Sequence, residues 1–166
     1  MNNHLDFKNL QYEESFILDM LSHYVELSSV TVEPRSKEAG LYERAVRAYR
    51  EGLSEESLTL FAKLILMEPL SSDYWMGMAS SLHLSENPIK ALSCYAIVAL
   101  LDAEDPSPHF YAAQIFLKQR NEIEFTKAIE LSYARATLNA EYTPWLEKIM
   151  DLKELFYRKE RGVYAG

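Results

Sequence analysis

The stretch DYWMGMASSLHLSENPIKALSCYAIVALLD, from Asp73 to Asp102, reads as two amphipathic helices joined by a polar turn. A shift of about 34 residues toward the N-terminus aligns its large residues with large ones and its small residues with small ones. The aligned pairs are Trp75 with Leu41, Ala79 with Ala45, Ala91 with Ser57, Tyr95 with Phe61 and Val98 with Leu64. The same shift toward the C-terminus aligns Trp75 with His109 and Ala79 with Ala113. The sequence therefore predicts one helix-turn-helix unit repeated three times.

This period, with small and aromatic residues at fixed positions, is typical of tetratricopeptide (TPR) repeats. Small residues let the two helices of a unit approach closely, and large residues fill the gaps between units. We expect an all-α fold, a TPR solenoid of helical hairpins with three repeats, an N-terminal helix and a C-terminal capping helix. The predicted segments are 1–36 for the N-terminal helix, 37–140 for the repeats and 141–166 for the cap and tail.

Helix starts are marked by an acceptor side chain followed by proline, which suits the first helical position. The three pairs are Asn87-Pro88, Asp105-Pro106 and Thr143-Pro144. Asn121 followed by Glu124 predicts a fourth start, because the two side chains can satisfy each other's backbone donors.

The composition excludes several classes of protein. The chain has 166 residues, of which 48% are hydrophobic, and a formal net charge of -8. Nucleic-acid binding needs clustered Lys and Arg, so no nucleic-acid partner is expected. The longest apolar run, CYAIVALL, is far shorter than the roughly 20 residues of a membrane-spanning helix. We expect a soluble protein that does not insert into membranes and whose N-terminus is not a secretory signal.

Catalytic chemistry is not supported by the residue pattern. Cys94 and His83 are the one pair that suggests a thiolate, but Cys94 lies in an apolar helix beside the packing residue Tyr95. The four histidines are scattered without ligand spacing, and the acidic run DAEDP lacks the pattern of a calcium loop. We expect no enzymatic activity, no metal and no cofactor.

The first helix of each TPR unit lines the concave groove of the array. The inward positions are Ala39, Tyr42, Val46 and Tyr49 in the first unit, Asp73, Met76, Ser80 and His83 in the second, and Ser107, Phe110, Gln114 and Leu117 in the third. This groove is apolar and aromatic. It lacks the Lys and Asn of the carboxylate clamp found in co-chaperones of heat-shock proteins. The alternative for Tyr42, Tyr49 and Phe110 is packing within the array.

The segments LYERAVRAYREGLSEESLTLFAKLILMEP and DYWMGMASSLHLSENPIKALSCYAIVALLDAEDPSPHFYAAQIFLKQRNEIEFTKAIELS resemble the class II chaperones of bacterial type III secretion. The features that carry the resemblance are Leu41-Tyr42 with Tyr49 one heptad later, Gly52 at a turn, Gly77 inside a helix, CYAIVALLD and the start of the third unit, PSPHFYAA. Departures are Leu53-Ser54 after the first turn and Arg120 in place of a turn glycine.

The resemblance implies a non-enzymatic protein of the bacterial cytoplasm that holds an extended segment of a hydrophobic translocator in its groove. Tyr42, Tyr49 and Tyr95 match positions that the family links with client binding. The family also favours a homodimer.

The two terminal helices carry apolar stripes. Leu10, Ile17, Leu21 and Tyr24 in the first helix pack either on the first repeat or on another protomer, as a dimer contact. Trp145, Ile149, Leu152 and Phe156 are expected to close the last repeat. Rival functions are a co-chaperone of needle subunits, a general TPR scaffold between folded proteins, and a hydrolase that uses Cys94.

Overall fold

The structure, a computed structural model, describes residues 22–24 and 38–160. Within these ranges it consists of helices without strands, so the all-α prediction is confirmed. Seven α-helices follow one another in the second range, and a 3-10 turn at Ala140–Tyr142 precedes the last. They are α1 (Glu38–Arg50), α2 (Ser54–Met67), α3 (Ser72–Leu84), α4 (Pro88–Leu101), α5 (Ser107–Lys118), α6 (Glu122–Leu138) and α7 (Thr143–Glu160).

The chain divides into two compact units, the first ending at Leu101 and the second beginning at Asp102. Helices α1 to α4 form two hairpins in the first unit, and α5 to α7 belong to the second. This division falls at a different place from the boundaries predicted at 36/37 and 140/141, which stay predictions.

The core of the first unit follows the repeat pattern. Ala45, Ala79 and Ala91 are fully buried, as expected for small residues where helices approach closely. Between the two hairpins, the hydroxyls of Ser57 and Ser81 lie 2.7 Å apart, and Ser57 also donates to the Ala45 carbonyl at 3.4 Å. The pattern of small residues therefore predicts the contact between neighbouring helices.

A glycine inside α3 makes one of these contacts possible. The ring of Phe61, on α2, lies directly over the Cα atom of Gly77. A Cβ atom at this position would lie 2.1 Å from the ring's Cε1 atom. Any larger residue at Gly77 would force the two helices apart or the ring out of place.

The three hairpin turns share one hydrogen-bonding motif. The residue that reverses the chain has a positive φ in each: 73° at Gly52, 56° at Glu86 and 58° at Arg120. Its amide donates to the carbonyl three residues earlier, and the next amide donates to the carbonyl five residues before it. This pair of bonds is the Schellman motif, which normally favours glycine at the left-handed position. The turn motif repeats with the same period as the helices.

The second unit has a core of its own in which α7 covers α5 and α6. Ile149, Leu152 and Phe156 are buried, and the ring of Phe156 stacks on that of Phe125 at a centroid distance of 4.4 Å. Trp145 lies half-buried against the same core. The prediction that this stripe of α7 closes the last repeat is confirmed.

All four predicted helix starts lie within two residues of the proposed cap, and the last helix begins at Thr143. Helix α4 begins at Pro88, the Asn121 side chain accepts from the Glu124 amide at 3.3 Å, and α5 begins at Ser107, whose amide donates to Asp105 at 2.7 Å. The cap proposed at Thr143 is wrong. Thr143 has helical dihedrals, φ -49° and ψ -38°, because a 3-10 turn precedes the helix, and its hydroxyl donates to the Ala140 carbonyl at 2.8 Å.

Among the described residues, none of the helices combines the length and apolar character required to cross a bilayer.

Candidate functional site

The predicted inward positions of α1 lie along one side of that helix. Tyr42, Val46 and Tyr49 are four and three residues apart, which places them on a common stripe. Tyr42 and Val46 are half-buried, and Tyr49 is 37% exposed. Each of these apolar and aromatic side chains therefore packs partly against the protein and leaves part of its surface accessible to a partner.

The inward positions of α3 have the same character. Met76, Ser80 and His83 are spaced like those of α1, and all three are half-buried. By contrast, Met78, two residues from Met76, has no exposed surface. Met76 therefore lies on the inward side of α3, and Met78 lies on the side that packs into the core.

A pocket of about 320 Å³ lies where the first turns of α1 and α3 come together. It is lined by Glu38, Ala39, Tyr42, Ser71, Asp73 and Tyr74. Three of these, Ala39, Tyr42 and Asp73, are predicted inward positions from two successive repeats. The structure therefore brings together three predicted groove residues from the first and second repeats.

Aromatic rings form the walls of this pocket. The ring of Tyr42 lies 5.6 Å from that of Tyr74 and 6.2 Å from that of Phe61, measured between centroids. The Tyr74 hydroxyl donates a hydrogen bond to Oε1 of Glu38. Ring contact and hydrogen bond together hold the pocket walls in place.

Carboxylate groups make the electrostatic potential in the pocket negative. Burial, the hydrogen bond to Glu38 and the charges of Glu38 and Glu68 all raise the pKa of the Tyr74 phenol. Burial and the charge of Asp73 raise the pKa of Tyr42, against a weaker opposing effect of Arg50. The carboxylates are thus close enough to act on both rings.

Tyr95 lies beneath the inward stripe of α3. Its side chain is 2% exposed, and its hydroxyl lies 3.3 Å from Nδ1 of His83. The two rings meet edge to face with centroids 6.1 Å apart. In this state Tyr95 supports His83, and direct contact between Tyr95 and a client stays a prediction.

In the second unit, the four predicted groove residues differ in exposure, and Ser107 is buried. Phe110 is 7% exposed and its ring lies 5.3 Å from that of Trp145, which favours the packing alternative for this side chain. Gln114 and Leu117 are half-buried. A groove that continues from the first repeat to the third stays a prediction.

The single cysteine is not placed for catalysis. Cys94 is completely buried, and burial raises the pKa of its thiol despite the opposing charge of Lys90. Among residues 22–24 and 38–160, no three His, Cys, Asp or Glu side chains are grouped so that they could hold a metal ion.

The proposed dimer stripe lies largely outside the described residues, which include none of Leu10, Ile17 and Leu21. Tyr24 is described, and the Lys90 ammonium of the same chain lies 5.6 Å from the centroid of its ring. A dimer contact through this stripe stays a prediction.

Sequence reasoning missed three pocket residues, Glu38, Ser71 and Tyr74. Glu38 and Tyr74 lie in the first turns of α1 and α3, next to the predicted inward positions Ala39 and Asp73. An acidic residue and an aromatic one at these sites are visible in the sequence. Their pairing depends on how α1 and α3 pack, which the sequence does not show.

Comparisons with known proteins give a consistent result. No protein-family model matches the chain. The chaperone protein SicA of Salmonella typhimurium is 29% identical over 151 residues, which cover 87% of this chain and 92% of SicA.

Solved structures resemble the chain over most of its length. A chain of the CopN-Scc3 complex matches with a TM-score of 0.67 and 27% identity, covering 92% of this chain and 87% of that one. SycD of Yersinia enterocolitica, solved with a peptide of the translocator YopD, matches with a TM-score of 0.70, 19% identity and coverage of 78% and 98%. PcrH, solved with the chaperone-binding region of PopD, matches with a TM-score of 0.71, 17% identity and coverage of 77% and 96%.

The SycD and PcrH matches show that the chain has the TPR-like fold of these chaperones. The sequence similarity to SicA, a chaperone protein, agrees with this likeness in fold.

Proposed function

We propose that this protein is a cytoplasmic type III secretion chaperone that binds an extended segment of hydrophobic translocator proteins. The segment lies along the inward side of the first helices, and binding keeps the client soluble and competent for secretion. The observation that carries the proposal is the set of partly exposed apolar side chains at the predicted inward positions of α1 and α3, Tyr42, Val46, Tyr49 and Met76. No enzymatic step and no cofactor is required.

The chemistry of these side chains suits this task. A translocator must later enter a membrane, so its apolar segments would associate early if they were left free. Tyrosine offers a large apolar ring with a polar tip, and methionine adapts its shape to irregular partners. SycD, which shares the fold, has been solved with a peptide of the translocator YopD, and PcrH with the chaperone-binding region of PopD. These complexes support a translocator segment as the client here.

The first test identifies the client. The protein is purified from its native cytoplasm under mild conditions, and the chain that accompanies it is identified by mass spectrometry. We expect a secreted, membrane-inserting protein whose solubility depends on co-expression with this chaperone. A client that gains helicity on binding would favour the needle-subunit alternative, and a folded partner that is soluble alone would favour the scaffold.

The second test separates binding from stability with a matched pair on α3. Met76→Ala is expected to weaken client binding by about 2 kcal/mol and to leave the thermal midpoint nearly unchanged, because Met76 is half-buried on the inward stripe. The control Met78→Ala should cost about 2–5 kcal/mol of folding free energy, since Met78 is fully buried.

The aromatic positions extend this comparison. Tyr42→Ala and Tyr49→Ala should lower client affinity before they lower stability. Phe110→Ala should lower stability first, because this side chain is buried in the core of the second unit. If Met76, Tyr42 and Tyr49 variants all unfold while their folded fraction binds normally, the client lies on another face.

A further inference from the structure

The pocket between α1 and α3 is small, aromatic and acidic. Its volume of about 320 Å³ is near the lower limit of pockets that hold a small molecule, so it fits a single long side chain. None of its six lining residues is basic, and none is a large aliphatic residue. The rest of the predicted groove is richer in apolar residues, and this pocket therefore selects a different kind of group.

The two tyrosine rings offer their faces and edges at the pocket wall. Tyr42 and Tyr74 are inclined to each other by 43° with centroids 5.6 Å apart. The rings are too close for a group to enter between them, but a planar cation in the pocket can lie against the face of one ring, an arrangement that favours arginine over lysine. The pocket wall thus suits a guanidinium group.

Charges of two kinds compete in this pocket. The first turns of α1 and α3 both reach it, and each helix N-terminus contributes about half a positive elementary charge. Together they would attract an anion if they acted alone. Glu38 and Asp73 lie in these same turns and carry a full negative charge each, which exceeds the helix contribution. The balance is negative, and the preferred ligand is a cation.

A third acidic residue adds to this balance. Glu68 acts on the Tyr74 phenol from the loop before α3, while Arg50 has only a weak opposing effect at Tyr42. The bond from Tyr74 also fixes the position of the Glu38 carboxylate before any ligand arrives. A carboxylate that is already held in position loses less conformational entropy when it pairs with a cation.

We propose that this pocket binds an arginine side chain of the client segment, against a ring face of Tyr42 or Tyr74 and beside the carboxylates of Glu38 and Asp73. The proposal rests on the proposed function for the identity of its natural ligand. The pocket sets the register of the bound segment, because one charged residue must enter it while apolar residues contact the rest of the groove.

The test uses small probes and the full-length protein, so it does not depend on the client. Nα-acetylarginine amide and its neutral analogue Nα-acetylcitrulline amide are titrated at millimolar concentrations and constant ionic strength. Tyrosine ring signals are followed by NMR and assigned with Tyr42→Phe and Tyr74→Phe. We expect saturable shifts of Tyr42 and Tyr74 with the arginine probe, and weaker or no shifts with the citrulline probe.

Charge variants then test the carboxylates. Glu38→Gln and Asp73→Asn should each weaken arginine binding by about threefold to fivefold, since partly exposed ion pairs contribute modestly. Glu55→Gln removes a first-turn acid of α2 that does not line the pocket, and it should leave the affinity unchanged. The proposal is wrong if no saturable shift occurs, if both probes act alike, or if Glu55→Gln has the same effect as the pocket variants.

The two proposals fail separately. If arginine binds the pocket but the captured client is no translocator, the pocket stands and the proposed function falls. If a translocator is captured but the arginine probe does not bind, the function stands and the pocket proposal falls.

Discussion

The ring of Phe61 occupies the space that a Cβ atom would fill at Gly77, 2.1 Å from the ring's Cε1 atom. The contact joins α2 of the first hairpin to α3 of the second. It gives a physical reason for a glycine in the interior of a helix, where glycine normally lowers stability.

We expect Gly77→Ala to lower the free energy of unfolding by about 1–3 kcal/mol, because the added methyl group overpacks the contact with Phe61. Denaturant unfolding measures the change. Gly40→Ala is the matched control, since Gly40 lies in α1 and a Cβ atom added to it would meet no other atom within 4 Å. This control should be neutral or stabilising by up to about 1 kcal/mol. Equal effects at both glycines would contradict the contact.

The turn after α5 is expected to gain stability from glycine. Arg120 has a φ of 58°, a conformation that costs a non-glycine residue about 1–2 kcal/mol. Arg120→Gly should therefore raise the free energy of unfolding by about 1 kcal/mol. The neighbouring Gln119 has a φ of -78°, so Gln119→Gly should lower stability instead. A destabilised Arg120→Gly protein would show that the arginine side chain stabilises the turn.

Acid should weaken the second unit through His109. This imidazole is buried, its Nε2 atom has no hydrogen-bond partner among the described residues, and burial together with the charge of Arg135 lowers its pKa to about 3. Since the folded pKa lies below the unfolded value of about 6.5, stability is complete above pH 6.5 and falls as the pH drops toward 3.

At pH 5 this histidine alone should cost about 2 kcal/mol relative to pH 7. The measurement compares denaturant unfolding of the wild-type protein and His109→Phe at both pH values. The variant should lose less stability on acidification by about that amount. Parallel losses in both proteins would show that other groups cause the acid sensitivity.

The N-terminal helix is predicted to supply a dimer contact. Deletion of residues 1–31 should then lower the mass measured by light scattering, while most of the helical circular dichroism signal remains. An unchanged mass would assign the apolar stripe an intrachain role, in keeping with the contact between Tyr24 and Lys90.

Local signals in the sequence predicted the fold well. The start of α4 at Pro88 and the close approach at Ala79 follow from properties of single residues, namely proline's fixed φ and alanine's size. The cap at Thr143 was wrong because the 3-10 turn before it brings Thr143 into helical dihedrals, φ -49° and ψ -38°, so this residue lies inside the helix. A capping residue followed by proline does not show at which of two consecutive turns the helix begins.

The candidate site was less predictable. Repeat geometry identified Tyr42 and Asp73 as inward positions, and both line the pocket. The bond from Tyr74 to Glu38 joins residues 36 apart in sequence, so it depends on the packing of two hairpins. Burial of Phe110 likewise depends on α7, which covers it from the end of the chain.

The hydroxyl pair of Ser57 and Ser81 has a consequence for how the first two hairpins align. Both side chains are fully buried, and their oxygens lie 2.7 Å apart. If one hairpin slid along the other by a helical turn of about 5.4 Å, this hydrogen bond would break inside an apolar environment. Each hydroxyl keeps a backbone partner within its own hairpin, the Ala45 carbonyl for Ser57 and the Gly77 carbonyl for Ser81, so losing the bond between them costs about 0.5–1.5 kcal/mol. The hydrogen bond between the two serines therefore favours one alignment of the first hairpin against the second. A purely apolar contact would be compatible with several alignments.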